Sequence, residues 1–126
     1  MANPRVRCAQ GTATIAELNY GTHTGVYIVA PTDRTITVVD GWLRNVGSNI
    51  GGATAIAVTD GAAVVAFSCT VGTLDSNVLA RVGATGFTNT NVGTPLTGGK
   101  GLRICATVAN ATTSTSVDYC VYYVVT

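Results

Sequence analysis

Apolar residues in this chain recur at every second position within short runs, and clusters of Gly, Thr, Asn and Asp separate the runs. A period of two is the mark of a half-buried strand. In the last third, Leu102, Ile104, Ala106 and Val108 alternate with Arg103, Cys105 and Thr107. Further on, Val117, Tyr119, Val121, Tyr123 and Val125 share one side, and after Asp118 the other side, Cys120, Tyr122 and Val124, is apolar as well. A strand that is apolar on both faces needs protein on both. One face is expected to line the core, which leaves open whether the same chain or another copy covers the second.

The earlier segments carry the same signal more weakly. Thr12 to Leu18 reads as a first strand, although ATIAEL also suits a helical turn; the surrounding Thr and Gly favour the strand. Gly25 to Ala30 is a second, ended by Pro31, Thr32 and Asp33. In Thr35 to Val46, Asp40-Gly41 breaks the alternation: Ile36 and Val38 share a parity with Trp42, while Val39 and Leu43 share the other. Either a hairpin or one long strand with a glycine bulge explains this, and the shortness of a first hairpin arm favours the bulged strand. Gly47 to Gly52 is a loop. Ala53 to Thr59 and Ala62 to Val71 flank Asp60-Gly61, a strong hairpin signal, and Val65, Phe67, Cys69 and Val71 share a face that places Cys69 in the core. Asn77 to Val82 is a short strand, and Gly83 to Thr94 is a polar stretch.

Roughly eight strands with no helix of ordinary length predict an all-β, single-domain β-sandwich, drawn as an eight-stranded jelly roll. Residues 1–11 are expected to form an N-terminal arm and residues 12–126 the sandwich. A simple final hairpin turning at Thr112 and Thr113 would set Cys105 across from Cys120. A jelly roll instead puts the last two strands in opposite sheets about 10 Å apart, and the two sulfurs need not meet.

Composition sharpens this picture. Charged residues make up only 10% of the 126 positions, against about 25% in an average domain, while the apolar share of 47% is ordinary. Charge is what is missing, and Thr, Ser, Asn and Gly take its place on the surface. Such a surface suits a protein pressed against other proteins. The net charge is +1, and beyond Arg5 and Arg7 no Lys/Arg cluster occurs, so a nucleic-acid partner is not expected. The opening MANPRVRCAQGT has no apolar core of a secretory signal, which predicts synthesis in the cytoplasm. No run reaches the length of about 20 apolar residues that a membrane helix needs. Cys8, Cys69, Cys105 and Cys120 show no metal-ligand spacing and read as reduced, buried thiols.

Candidate chemistry is thin. His23, the only histidine, lies in the polar turn YGTHTG. Asp75-Ser76 sets a hydroxyl beside a carboxylate with no imidazole marked to join them, so it reads as a turn. The six carboxylates are scattered, most of them in turns. Thr97 to Gly101, TGGKG, lacks the Ser/Thr after lysine and the following helix of a phosphate loop, and is read as a tight turn whose glycines take positive φ. Asn110-Ala111-Thr112 matches a glycosylation sequon by chance. No catalytic residue, cofactor or metal is expected. Trp42, with Arg44 two residues on, is either a same-face stacking or interface pair or a core tryptophan at a bulge.

The order of TITVVDGWLR, GGATAIAVTDG, NVLARV and PLTGGKGLRI, ending in SVDYCVYYVV, resembles the small cement or decoration proteins of tailed bacteriophage capsids. The resemblance covers nearly the whole chain as a pattern, with no single diagnostic motif. It implies a trimeric jelly-roll module that sits on the shell at three-fold or quasi-three-fold axes and bridges neighbouring copies of the major capsid protein, with no chemistry of its own. The protein would then be made in the host cytoplasm and reside on the virion. Under this reading Pro4, Arg5 and Arg7 reach the capsid, where the arginines pair with acidic residues, and Trp42, Arg44 and Tyr122 meet a sister subunit. A receptor- or carbohydrate-binding head of a phage fibre or spike is the alternative the resemblance allows.

Overall fold

The structure, a computed structural model, describes residues 5–19, 25–60, 64–97 and 99–126. Strand β1 runs Val6–Thr14 and leads into a single 3-10 turn, Ile15–Glu17. There follow β2 (Val26–Val29), β3 (Ile36–Val46), β4 (Ala55–Thr59), β5 (Val65–Thr70), β6 (Leu79–Arg81), β7 (Phe87–Thr88), β8 (Pro95–Leu96), β9 (Leu102–Thr107) and β10 (Ser116–Val125). Both readings of Thr12 to Leu18 hold in part, since the strand ends at Thr14 and the turn takes over. Two antiparallel sheets result. The first has the order β1-β10-β3-β6 with β8 also on β3, and the second has the order β2-β9-β4-β5-β7. The last two long strands therefore lie in different sheets, as expected, and Cys105 and Cys120 with them.

The ladders explain the broken alternation of β3. It is one continuous strand whose register against β10 shifts: Tyr122 pairs with Asp40 but Tyr123 pairs with Val38, so Val39 is the extra residue of a bulge. Gly41 has a different task. A Cβ there would lie 3.0 Å from the carbonyl oxygen of Cys120 and 3.0 Å from the ring of Phe67, so glycine lets the ring reach β3. The β4 and β5 pairing bears out the hairpin. At its end, the Asp60 amide donates to the Val64 carbonyl at 2.8 Å, and the Val64 amide donates to the Asp60 carboxylate at 3.0 Å. Gly61 lies outside the described residues.

Between the sheets sits one core, built on Phe67, Leu18, Leu43, Ile56, Ile104 and Val121, all fully buried. Cys69 is in it, and Phe87 stands against Phe67 with ring centroids 5.3 Å apart. One buried polar side chain joins this core to the loops at one end. Asn45 is 0% exposed; its amide donates to the carbonyls of Ser48 at 2.8 Å and Leu74 at 3.1 Å, and its oxygen accepts from the Ser114 hydroxyl. Such full satisfaction is what allows a polar group inside an apolar core.

Candidate interaction face

The two sheets differ on their outward sides. On the second sheet, Ala55, Ala57 and Thr59 of β4 and Cys105 of β9 alternate away from the core yet remain buried. Gly25, the residue before β2, stands beside β9: a Cβ on it would lie 1.8 Å from the Ile104 carbonyl oxygen and 2.8 Å from Cys105 Cβ, so only glycine fits there. Nearby, the Arg103 guanidinium stands over the Tyr27 ring, 4.0 Å from its centroid.

The first sheet presents large side chains outward. In β10, Val117 and Val121 are buried inward, while Asp118, Cys120, Tyr122 and Val124 take the opposite parity. Their partners on β3 are Arg44 for Asp118, Trp42 for Cys120 and Asp40 for Tyr122. Trp42 and Tyr122 are thus diagonal neighbours across two central strands, close enough for aromatic side chains to share a surface. The next strand adds Leu79 opposite Arg44 and Arg81 opposite Trp42. Leu79 is 48% exposed and the bulge residue Val39 is 39% exposed. Four charged side chains share this face, Asp40, Arg44, Arg81 and Asp118: Arg81 reaches Asp40 at 3.5 Å, the Thr12 hydroxyl donates to Asp118 at 2.6 Å, and Arg44 is exposed.

The three residues expected at a subunit contact, Trp42, Arg44 and Tyr122, therefore stand on one face, with Trp42 on the outward side of its sheet. The residues expected at a capsid contact are placed differently. Arg5 is exposed just ahead of β1, Arg7 is an exposed residue of β1 in register with Tyr123, and Pro4 lies outside the described residues. Residues Val6 to Gly11 of the expected arm are paired with β10 along their whole length. Alternation missed them because Arg7 and Gln10 interrupt it, and an edge strand at the margin of a sandwich has little to bury.

The cysteines are all free thiols, but one departs from the expected burial. Cys69, Cys105 and Cys120 are buried, whereas Cys8 is exposed on β1, with its Sγ 3.0 Å from Cys120 Sγ. Hydrogen bonding to Cys120, more than burial, raises the Cys8 pKa. Tyr122, two residues along the same face, has its hydroxyl pKa raised by the same thiol. No sequence spacing marks this pair, which is 112 residues apart.

The remaining candidates take structural places. Asp75 and Ser76 form a turn: the Val78 amide donates to the Asp75 carbonyl at 3.0 Å, and the Ser76 hydroxyl donates to the Gly47 carbonyl at 2.5 Å. Gly99 and Gly101 have the expected positive φ, 64° and 74°, but the stretch links β8 in the first sheet to β9 in the second, and its Gly99 carbonyl accepts from the Thr32 amide at 2.8 Å, tying it to the loop after β2. His23 and Gly98 lie outside the described residues. Among the described residues no group of three or more His, Cys, Asp or Glu is gathered, and no helix is long and apolar enough to cross a membrane. Comparison with protein-family models, with curated proteins and with solved structures found no match.

Proposed function

We propose that this protein is a structural component of a phage virion, a jelly-roll module that decorates the outside of the capsid as a homotrimer and cements neighbouring capsomers, without enzymatic activity. The strand orders β1-β10-β3-β6 and β2-β9-β4-β5 support the jelly roll, since successive long strands after β1 alternate between sheets except at the β4-β5 hairpin and β1 lies beside β10. The observation that carries the functional reading is the outward face of the first sheet, where the large side chains Trp42, Tyr122, Leu79 and Val39 stand together with the arginines Arg44 and Arg81. The 33 residues of β1, β10, β3 and β6, at about 3.4 Å per residue and a strand spacing of about 4.8 Å, span roughly 540 Å² of flat area. That is about two-thirds of the roughly 800 Å² per partner of a stable interface. Aromatic and arginine side chains side by side at the centre, Trp42 and Tyr122 with Arg44 and Arg81, are the residue types enriched in such contacts. Arg5 and Arg7, beside the free edge of the same sheet, are left for acidic capsid residues.

Native mass measurement and capsid occupancy test this together. The wild-type chain is expected to run as a trimer and to raise the disruption temperature of capsids stripped of decoration. A Trp42→Ala, Tyr122→Ala double variant should keep its strand signal in circular dichroism but lose the trimer, while Arg5→Ala with Arg7→Ala should stay trimeric and lose occupancy as salt rises. A wild-type chain that is monomeric at micromolar concentration and leaves stripped capsids bare overturns the proposal.

A further inference from the structure

The thiols of Cys8 and Cys120 lie on the outward side of the first sheet, on adjacent strands, diagonal to one another: Cys8 is in register with Tyr122, and Cys120 with Gln10. They are the first and the last cysteine of the chain, and β1 is an edge strand whose ladder runs along β10 alone. Edge strands open most readily, because one side of their backbone has no ladder and few side chains hold them. We propose that Cys8 and Cys120 are a reversible disulfide site, closed by small-molecule disulfides such as oxidised glutathione, that clasps the first strand to the last. This reading does not rest on the capsid function.

Access sets the order of events. The exposed Cys8 loses its proton to solvent, and its sulfur attacks one sulfur of oxidised glutathione, forming a mixed disulfide and releasing one glutathione thiolate. Cys120 is 2% exposed and shielded from the bulky reagent, but it already lies beside Cys8 Sγ. It gives up its proton and attacks the Cys8 sulfur, which breaks the mixed disulfide and releases the second glutathione thiolate. Two protein thiols are oxidised to one disulfide, one glutathione disulfide is reduced to two thiols, and the two protons end on those thiols. The sulfurs close from 3.0 Å to a bond of about 2.05 Å, and because diagonal neighbours start farther apart than the Cβ separation of about 3.5–4.5 Å in a disulfide, the edge strand β1 moves toward β10 as the bond forms. The other thiols stay out of the exchange. Cys69 is sealed in the core, where burial pushes its pKa up to about 11, and burial likewise raises that of Cys105, on the outward side of the other sheet.

The experiment treats the intact folded protein with oxidised glutathione at pH 8 and follows it by intact mass and peptide mapping. The expected product has lost two hydrogens, links the Cys8 and Cys120 peptides within one chain, and returns to thiols with dithiothreitol. Cross-linking across 112 residues should raise the melting temperature by on the order of 10 °C through the entropy removed from the unfolded chain. Amide exchange in β1 should slow in the oxidised form. Cys8→Ser, an exposed substitution, should show neither the link nor the temperature rise, while Cys120→Ser should stop at a stable glutathione adduct on Cys8. A wild-type product that remains a Cys8 adduct, a Cys8 to Cys8 cross-link between chains, or unreacted thiols at both positions overturns the proposal.

Discussion

Asn45 is the most informative single position for the fold, because its side chain satisfies three separate chain segments at once. Asn45→Ala removes two donors, from the carbonyls of Ser48 and Leu74, and the acceptor of the Ser114 hydroxyl. Ser114 also reaches the Val46 carbonyl at 3.0 Å, so its loss is partly covered, and Ser48 is exposed and can take water instead. Leu74, fully buried, is the segment left with the larger penalty. One buried carbonyl without a partner costs about 1–3 kcal/mol, and the lost packing of the amide adds to it, for a total of about 3 kcal/mol. For a domain of this size that lowers the melting temperature by roughly 10–15 °C. Urea unfolding followed by Trp42 fluorescence measures it, provided the m-value is unchanged. Asn45→Asp adds a sign test. Its carboxylate would face two carbonyls in the core, so its folded pKa would stand above the unfolded value of about 3.9. The variant should then come closest to wild type below that value and fall away as pH rises through the folded pKa. A loss under about 1 kcal/mol for Asn45→Ala, or an Asp variant equally stable at all pH values, would refute this account of the buried network.

Two further outcomes follow from local geometry. Gly41→Ala should cost about 1–3 kcal/mol, because the new methyl meets a backbone carbonyl and the fully buried Phe67 ring; Phe67→Leu should recover part of that loss in a double-mutant cycle, and additive losses would contradict the contact. The Glu17 carboxylate accepts from the Thr14 amide at 3.0 Å and the Thr14 hydroxyl at 2.9 Å, and those bonds hold its pKa below the usual value. Its contribution is present above the unfolded pKa and lost as pH falls through the folded one, so Glu17→Gln should flatten the acid limb of the stability profile, and an unchanged limb would rule the cap out.

What was legible from the chain was whatever a period of two encodes. The β4-β5 hairpin, the bulged β3 and the two-faced β10 were all visible because each buries an apolar side next to a polar or differently buried one. The parity of Tyr122 and of Trp42 could be read; that the two stand diagonal to each other could not, since this needs the pairing of β10 with β3 and the bulge at Val39. Residues Val6 to Gly11 gave no strand signal because an edge strand has weak demands on its side chains. With β1 hidden, the neighbourhood of Cys8 and Cys120 was hidden too. Nothing in the sequence marks Asn45, because two of its three partners, Leu74 and Ser114, come from segments 29 and 69 residues away.

The contrast between the outward faces bears on the function more directly than the low charge does. A neutral coat alone would leave both faces alike. Instead the second sheet carries small residues outward, Ala55, Ala57, Thr59 and Cys105, which are buried within the chain itself, and beside Cys105 the neighbouring backbone comes so close that only glycine, Gly25, fits. Small side chains are what close backbone approach requires. The first sheet carries Trp42, Tyr122, Leu79 and Arg81 in the same outward role, the two aromatic residues half-buried and Leu79 and Arg81 exposed. Large, semi-rigid side chains are poorly suited to lying under one's own backbone and well suited to filling the relief of another surface. That difference in side-chain size is why the proposal puts the sister subunit on the first sheet, against the second apolar side of β10, and not on the second.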